Sequence, residues 1–284
     1  MLTDTHCHFE DERYDQDREQ AIDENLKELA FCVNVATNAK DYEAVLGLAS
    51  KYDKIYAALG VHPHYALKVM PEEVEEKIEA TLRQAQGADK IVGIGECGLD
   101  YHFFKEDLEG RTQYEMREAQ SVLFLAQIEI AQKNKLPLIV HCRDGRKDGE
   151  VRRSFSEGGD AYQDVLRIFD EHSVKAAAIH SFSGDLKFAK EFVERGMYLG
   201  ISGILTFDKT GRLLEVVKEI SLDHLLLETD APYLTPVPHR GKRNEPKNTK
   251  FIAEKIAEIK GISLQDVLEV TEQNARKLFG IVVE

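Results

Sequence analysis

His6 and His8 stand one residue apart in the stretch Thr3-Asp4-Thr5-His6-Cys7-His8-Phe9-Glu10. In an extended strand alternate side chains share a face, so the two imidazoles project together while Cys7 points the other way. Neutral imidazole is the commonest metal ligand, and a pair aimed at one point is half of a metal site. Taken alone, the pair fits a strand end carrying two solvated histidines equally well. What decides the matter is that histidines and acids recur downstream, each directly after a short apolar run. They are His62 and His64 in Gly60-Val61-His62-Pro63-His64, Glu96 in Gly93-Ile94-Gly95-Glu96-Cys97-Gly98-Leu99-Asp100, and His141 before Cys142-Arg143-Asp144. His180 follows in His180-Ser181-Phe182-Ser183-Gly184, then Glu228 and Asp230 in Glu228-Thr229-Asp230-Ala231-Pro232-Tyr233. Of the chain's 10 histidines, only His102, His172, His224 and His239 lie elsewhere, in loops or near helix ends.

The elements that must position these groups alternate along the chain. After the first strand, Ala21, Ile22, Leu26 and Leu29 give a helical stripe, and Phe31 to Ala36 a β-branched apolar run. Tyr42, Val45, Leu46 and Ala49 are helical, then Ile55 to Leu59 reads as strand. Pro71 opens a helix with Val74, Ile78 and Leu82 on one face, and Ile91 to Gly95 is the fourth strand. Ala119, Val122, Leu123, Ala126 and Ile130 mark a long helix ahead of Pro137 and the strand Leu138 to Val140. Strands at Ala176 to Ile179, Tyr198 to Ile201 and Leu225 to Leu227 are separated by helices around Val165, Phe192 and Val217. Ile252, Ile256 and Ile259 form a tail helix, and Ser263 with Asp266 spells a capped start for another.

Eight short apolar strands, each followed by a helix, predict an α/β fold, a (β/α)8 TIM barrel, as one domain over residues 1–284. A doubly wound open sheet would carry a Gly-rich phosphate turn after the first strand, where this chain has His-x-His. In a barrel, catalytic groups come from the C-terminal ends of several strands, so the scattered histidines and acids converge on one mouth. Such a set is too large for a single tetrahedral zinc with its water and suits two divalent ions bridged by a carboxylate. Glu96, alone between two histidine groups in chain order, is the bridging candidate, with monodentate binding left open. Asp230 could bind the first ion and accept a proton from the attacking water. Several imidazoles suit Zn, Mn, Co or Ni better than Mg, although availability often decides.

Composition narrows the field. A formal charge of −14 argues against binding nucleic acid through a general positive field, but not against a local site where metal ions bring the positive charge. No stretch approaches eighteen apolar residues, so no membrane span is expected, and the first residues read as strand rather than signal peptide. Cys7, Cys32, Cys97 and Cys142 are far apart and form no C-x-x-C, which suits free, packed thiols in a reducing, cytoplasmic compartment.

The motifs quoted above, together with Asn274-Ala275-Arg276-Lys277-Leu278-Phe279, resemble the TatD family of metal-dependent deoxyribonucleases within the amidohydrolase superfamily, from Asp4 to Phe279. The resemblance implies His6, His8, Glu96 and Asp230 around one ion, and Glu96, His141 and His180 around the other. It implies hydrolysis of DNA, often from a 3′ end, with single-stranded or frayed ends as substrate and no obligate protein partner. Many superfamily relatives bridge their metals with a carboxylated lysine, and this chain offers none at that position.

Around these residues lie candidate substrate contacts. Pro238-His239-Arg240-Gly241-Lys242-Arg243-Asn244-Glu245-Pro246-Lys247 is a basic island in an acidic protein, and Arg240, Lys242 and Arg243 could hold flanking phosphates. Arg143, His62 and His64 are further candidates for substrate contact. Two segments, about Tyr101 to Tyr114 and Arg143 to Tyr162, look longer than in shorter family members and should overhang the mouth. Two other classes compete: a hydrolase of a cyclic amide, lactone or small phosphate ester on the same barrel, and a binding protein that has kept a metal site.

Overall fold

The protein is seen in a computed structural model in which residues 1–85, 90–102, 110–145 and 161–282 are described. Most of the second overhanging segment, with Arg146, Lys147, Arg152 and Arg153, lies outside those residues, as does 103–109 of the first. The order is β1 (Leu2–Cys7), α1 (Arg18–Leu26), β2 (Leu29–Val35), α2 (Tyr42–Lys51), β3 (Ile55–Leu59), α3 (Pro71–Gln84) and β4 (Ile91–Asp100). It continues with α4 (Gln113–Asn134), β5 (Leu138–Arg143), α5 (Ala161–Glu171), β6 (Ala177–His180), α6 (Leu186–Glu194) and β7 (Tyr198–Ile201). The chain ends with α7 (Arg212–Glu219), β8 (Leu225–Leu227), α8 (Thr249–Lys260) and α9 (Leu264–Phe279).

The eight strands run parallel in the order β1 to β8, the barrel that the alternation predicts. Its seam lies at the mouth. Cys7 bridges Ala231, the Asp230 amide donates to the His6 carbonyl at 2.9 Å, and the His8 amide donates to the Ala231 carbonyl at 2.7 Å. Closure thus sets His-x-His directly beside Asp230. Alternation along β2 sends Phe31, Val33 and Val35 into one apolar cluster with Ala58, Val92, Ile139, Ala178 and Leu226, and Cys32 into another that packs the helices. Leu278 and Phe279 of α9 join the first cluster.

Some boundaries differ from the sequence reading. Leu29 opens β2 rather than closing a helical stripe. β4 does not stop at Gly95 but runs on to Asp100 through a register shift between Ile94 and Cys97. Gly98 allows this: its φ is +129°, and a Cβ there would lie 2.1 Å from the His141 carbonyl oxygen. On α4, Val122 is exposed, while Gln120 and Gln127 are buried because they clamp backbone. Gln127 bonds both N–H and C=O of Val61, and Gln120 does the same for Asp100. The Ser263–Asp266 capping box forms as expected, a device worth about 1 kcal/mol. All four cysteines are free and buried. Among the described residues no helix is long and apolar enough to cross a membrane.

Candidate active site

His6 and His8 do project together: their Nε2 atoms are 3.1 Å apart. The Nδ1 of His8 lies 2.7 Å from the Val35 carbonyl, to which it donates, so the proton sits on Nδ1 and the Nε2 lone pair faces the site. His180 stacks on His6 with ring centroids 3.5 Å apart. Asp230 Oδ1 stands 3.4 Å from His8 Nε2, 3.7 Å from His180 Nε2 and 3.9 Å from His6 Nε2. Glu96 reaches two ways. Its Oε2 is 3.5 Å from His6 Nε2, and its Oε1 is 2.9 Å from His141 Nδ1 and 3.5 Å from His62 Nε2. Three sets have ligand atoms close enough for one ion, and two of them share His6: His6–His8–Asp230 and His6–Glu96–His180.

These residues fit divalent cations. Burial penalises charge on Glu96 and Asp230, yet the surrounding imidazoles hold both carboxyls below their ordinary range. A buried anion, Glu96, and a part-buried one, Asp230, therefore demand positive charge at this spot, which protonated imidazoles or cations supply. Burial works against charging His8 too, but Asp230 and Glu10 outweigh it and raise its pKa. Glu228 does the same for His180. His6 goes the other way, lowered by burial and by the neighbouring His180. The chemistry of the donor set, imidazole nitrogens around carboxylates, is that of a site for a divalent cation.

The second ligand set is gathered less tightly than the family resemblance implies. His141 touches Glu96, but its ring is 6.4 Å from that of His180. The reason is Asp100, at the far end of the extended β4. Its Oδ2 accepts from His141 Nε2 at 2.9 Å and stands 3.1 Å from His64 Nε2. That bond turns Nδ1 of His141 toward Glu96, as a carboxylate partner does for a ligating histidine. Burial opposes the charge on His141, but Asp100 and Glu96 prevail and lift its pKa to about 10.

His62, Asp100 and His141 also lie within reach of one another. The hydrogen bonding there favours a donor over a ligand. His62 Nδ1 accepts the His64 amide at 3.2 Å, which leaves its proton on Nε2, and burial pushes its pKa down to about 3, so it is neutral. A neutral imidazole that presents N–H suits a phosphoryl oxygen.

Several buttressing residues carried no role in the sequence reading. Asp100 was visible as an acid near a strand end, but the glycine-broken run hid the strand that carries it. Glu228 places Oε1 3.0 Å from His180 Nδ1 and accepts the Ser181 amide. Glu228 thus braces His180 as an ion pair, while His180 Nδ1 and His6 Nδ1 have no hydrogen-bond partner among the described residues. Asp4 accepts from the Thr229 amide at 2.9 Å and the His6 amide at 3.1 Å, tying β1 to the segment after β8. Nothing in residue type alone separates such acids from ligands.

The proposed substrate residues spread around the mouth. Arg143 is exposed at the end of β5, and the His64 side chain is half-exposed. Arg240 donates to the Thr235 carbonyl at 2.7 Å and lies over the Phe207 ring. Arg243 is clamped by Asp17 and Glu245, at 2.6 and 2.8 Å, over the Tyr14 ring.

Comparison with known proteins identifies the family. Residues 3–280 match the family model described as TatD related DNase. A metal-dependent hydrolase of Bacillus subtilis, YabD, is 36% identical over 99% of this chain and 100% of its own length. Human deoxyribonuclease TATDN3 is 31% identical, covering 98% of this chain and 94% of that protein. The 3′-5′ ssDNA/RNA exonuclease TatD of Salmonella typhimurium is 33% identical over 87% of this chain and 86% of its own. The crystal structure of YJJV, a TatD homologue from Escherichia coli, superposes with a TM-score of 0.84 at 27% identity, covering 99% of this chain and 98% of that one. With the family model matched over residues 3–280 and relatives above 30% identical along nearly the whole length, the chain belongs to the TatD-related DNase family of metal-dependent hydrolases.

Proposed function

We propose that the protein hydrolyses phosphodiester bonds of DNA, removing nucleotides from single-stranded or frayed 3′ ends, with two divalent ions. His6, His8, Glu96 and Asp230 would hold one ion, and Glu96, His141 and His180 the other. The observation that carries the reading is Glu96, whose two oxygens face opposite groups: Oε2 toward His6, Oε1 toward His141. Bound there, such ions supply an acidic water and positive charge for the phosphoryl oxygens.

The chain's own residues do the rest. Asp230, ionised and exposed on one side, accepts the proton of the attacking water. His62 donates from Nε2 to a phosphoryl oxygen as charge builds on it. Arg143 and the basic loop with Arg240, Lys242 and Arg243 face the strand beyond, with Arg243 holding that loop to Asp17. The water oxygen bonds to phosphorus, the P–O3′ bond breaks, and the departing oxygen takes a proton from solvent. The buried free thiols suit a cytoplasmic location.

The test is incubation of 5′-labelled single- and double-stranded DNA with the protein under Mg, Mn, Co, Ni and Zn, with product lengths resolved. A ladder shortening from the 3′ end supports the reading. Internal cuts alone would correct it to an endonuclease. Turnover of small esters or lactones with intact DNA would overturn it.

A further inference from the structure

Beside the cluster, outside the ligands, stands an aromatic side chain that the chemistry above does not use. Tyr233 is 41% exposed, and its ring meets His8 edge-on at 6.4 Å. The Arg13 guanidinium lies 4.1 Å over the Tyr233 ring. The pair is fixed from both ends. The Tyr233 hydroxyl donates to Asp11 Oδ2 at 3.0 Å, and Asp11 Oδ1 accepts the Arg13 amide at 2.8 Å. Next to it opens a cleft of about 520 Å³ lined by Glu12, Arg13, Gln16, Pro232, Lys242 and Arg243.

The cations in that cleft are not equivalent. Arg243 is committed to Asp17 and Glu245. Arg13 forms an ion pair with Asp11 at 3.9 Å, and exposed Lys242 makes no ion pair among the described residues. An exposed lysine with no ion pair among the described residues, in a protein of net charge −14 and next to an aromatic–guanidinium stack, is the pairing that single-stranded nucleic acid uses. Flat π faces accept any base by stacking, and the cations meet its phosphates without reading sequence.

We propose that the Arg13–Tyr233 stack is a platform for the base next to the reacting phosphate, with Lys242 meeting a neighbouring phosphate of the same single strand. The inference rests on the nuclease reading above and gives it a substrate preference: unstacked strands over paired ones, with little sequence selectivity.

Two measurements separate this from the parent reading. The first is fluorescence anisotropy of a labelled single-stranded oligonucleotide binding the full chain with no added metal. The second is steady-state cleavage of that oligonucleotide beside methyl 4-nitrophenyl phosphate, which has no base. Tyr233→Ala is expected to weaken oligonucleotide binding about 5- to 150-fold. Its loss in kcat/KM on the oligonucleotide should exceed that on the small diester by about ten-fold or more. Tyr233→Phe and Tyr233→Trp should retain binding. Lys242→Ala should flatten the slope of log affinity against log salt by about 0.7. Equal losses on both substrates, or oligonucleotide affinity unchanged in Tyr233→Ala, would overturn the platform while leaving the nuclease intact. Tight, Tyr233-dependent binding without cleavage would keep the platform and sink the nuclease.

Discussion

Gly200 of β7 touches the site without belonging to it, and one methyl group there tests how the site is braced. A Cβ on Gly200 would fall 2.1 Å from Glu228 Oε2, 2.4 Å from its Cδ and 2.7 Å from Oε1. Ordinary contact requires the carboxylate to retreat by about 1 Å. It has nowhere to go, since Glu228 is 1% exposed and its Oε1 already receives the Ser181 amide. Overpacking of this kind costs about 1–3 kcal/mol. Leaving the Ser181 amide or the carboxylate without its partner adds about 1–3 kcal/mol. Gly200→Ala should therefore lose about 2–6 kcal/mol in urea unfolding, with an unchanged m-value. It should also weaken metal loading, because Glu228 braces His180. Gly47→Ala on α2 is the control: nothing lies within 4 Å of its added Cβ, and replacing an exposed helical glycine should gain about 0.5–1 kcal/mol. A Gly200→Ala protein within 0.5 kcal/mol of the parent (roughly the scatter expected for a neutral surface change) and with unaltered metal content would refute the bracing of His180 by Glu228.

Three further outcomes follow from the same geometry. Asp230→Asn should keep fold and metal content yet lose at least about 100-fold in turnover, as expected of a removed general base, and wild-type rates from the metal-loaded variant would rule that role out. Removing Asp100 bears on pH-dependent stability. A histidine raised from 6.5 to about 10 on folding stabilises fully below pH 6.5, and that stability is lost as pH rises through 10. In chelator-treated protein Asp100→Asn should flatten that fall, read by urea unfolding at pH 6.5 and 10, and an unchanged difference would contradict it. Because His141 carries a proton at neutral pH, loading a cation there should expel it. Calorimetry at pH 8 in buffers of different ionisation enthalpy should show heats that scale with that enthalpy, and identical heats would argue against it.

The barrel and its mouth were legible because they rest on period and order. Six of the eight apolar runs end in a histidine or acid, and parallel closure must bring those ends together. What the sequence hid depends on breaks in that period. Gly95 and Gly98 interrupt β4, so its continuation to Asp100 had no hydrophobic signal, and the partner of His141 went unrecognised. Gln120 and Gln127 are polar residues buried on α4 because they satisfy backbone groups of Asp100 and Val61, which no amphipathic pattern foretells. The basic loop shows the converse limit. Arg240 and Arg243 are cations in sequence, but Phe207, Thr235, Asp17 and Glu245 engage them in the fold. Lys242 makes no ion pair among the described residues, and Arg13, which lines the same cleft, sits more than two hundred residues away in the chain.

Diffraction from crystals soaked in manganese and collected to maximise its anomalous signal would locate bound ions directly. The expected result is a peak within bonding distance of His6, His8, Glu96 and Asp230, with a second on the side of Glu96 that faces His141. Anomalous density confined to surface carboxylates, with none at the mouth under saturating manganese, would contradict the metal centre and the chemistry built on it.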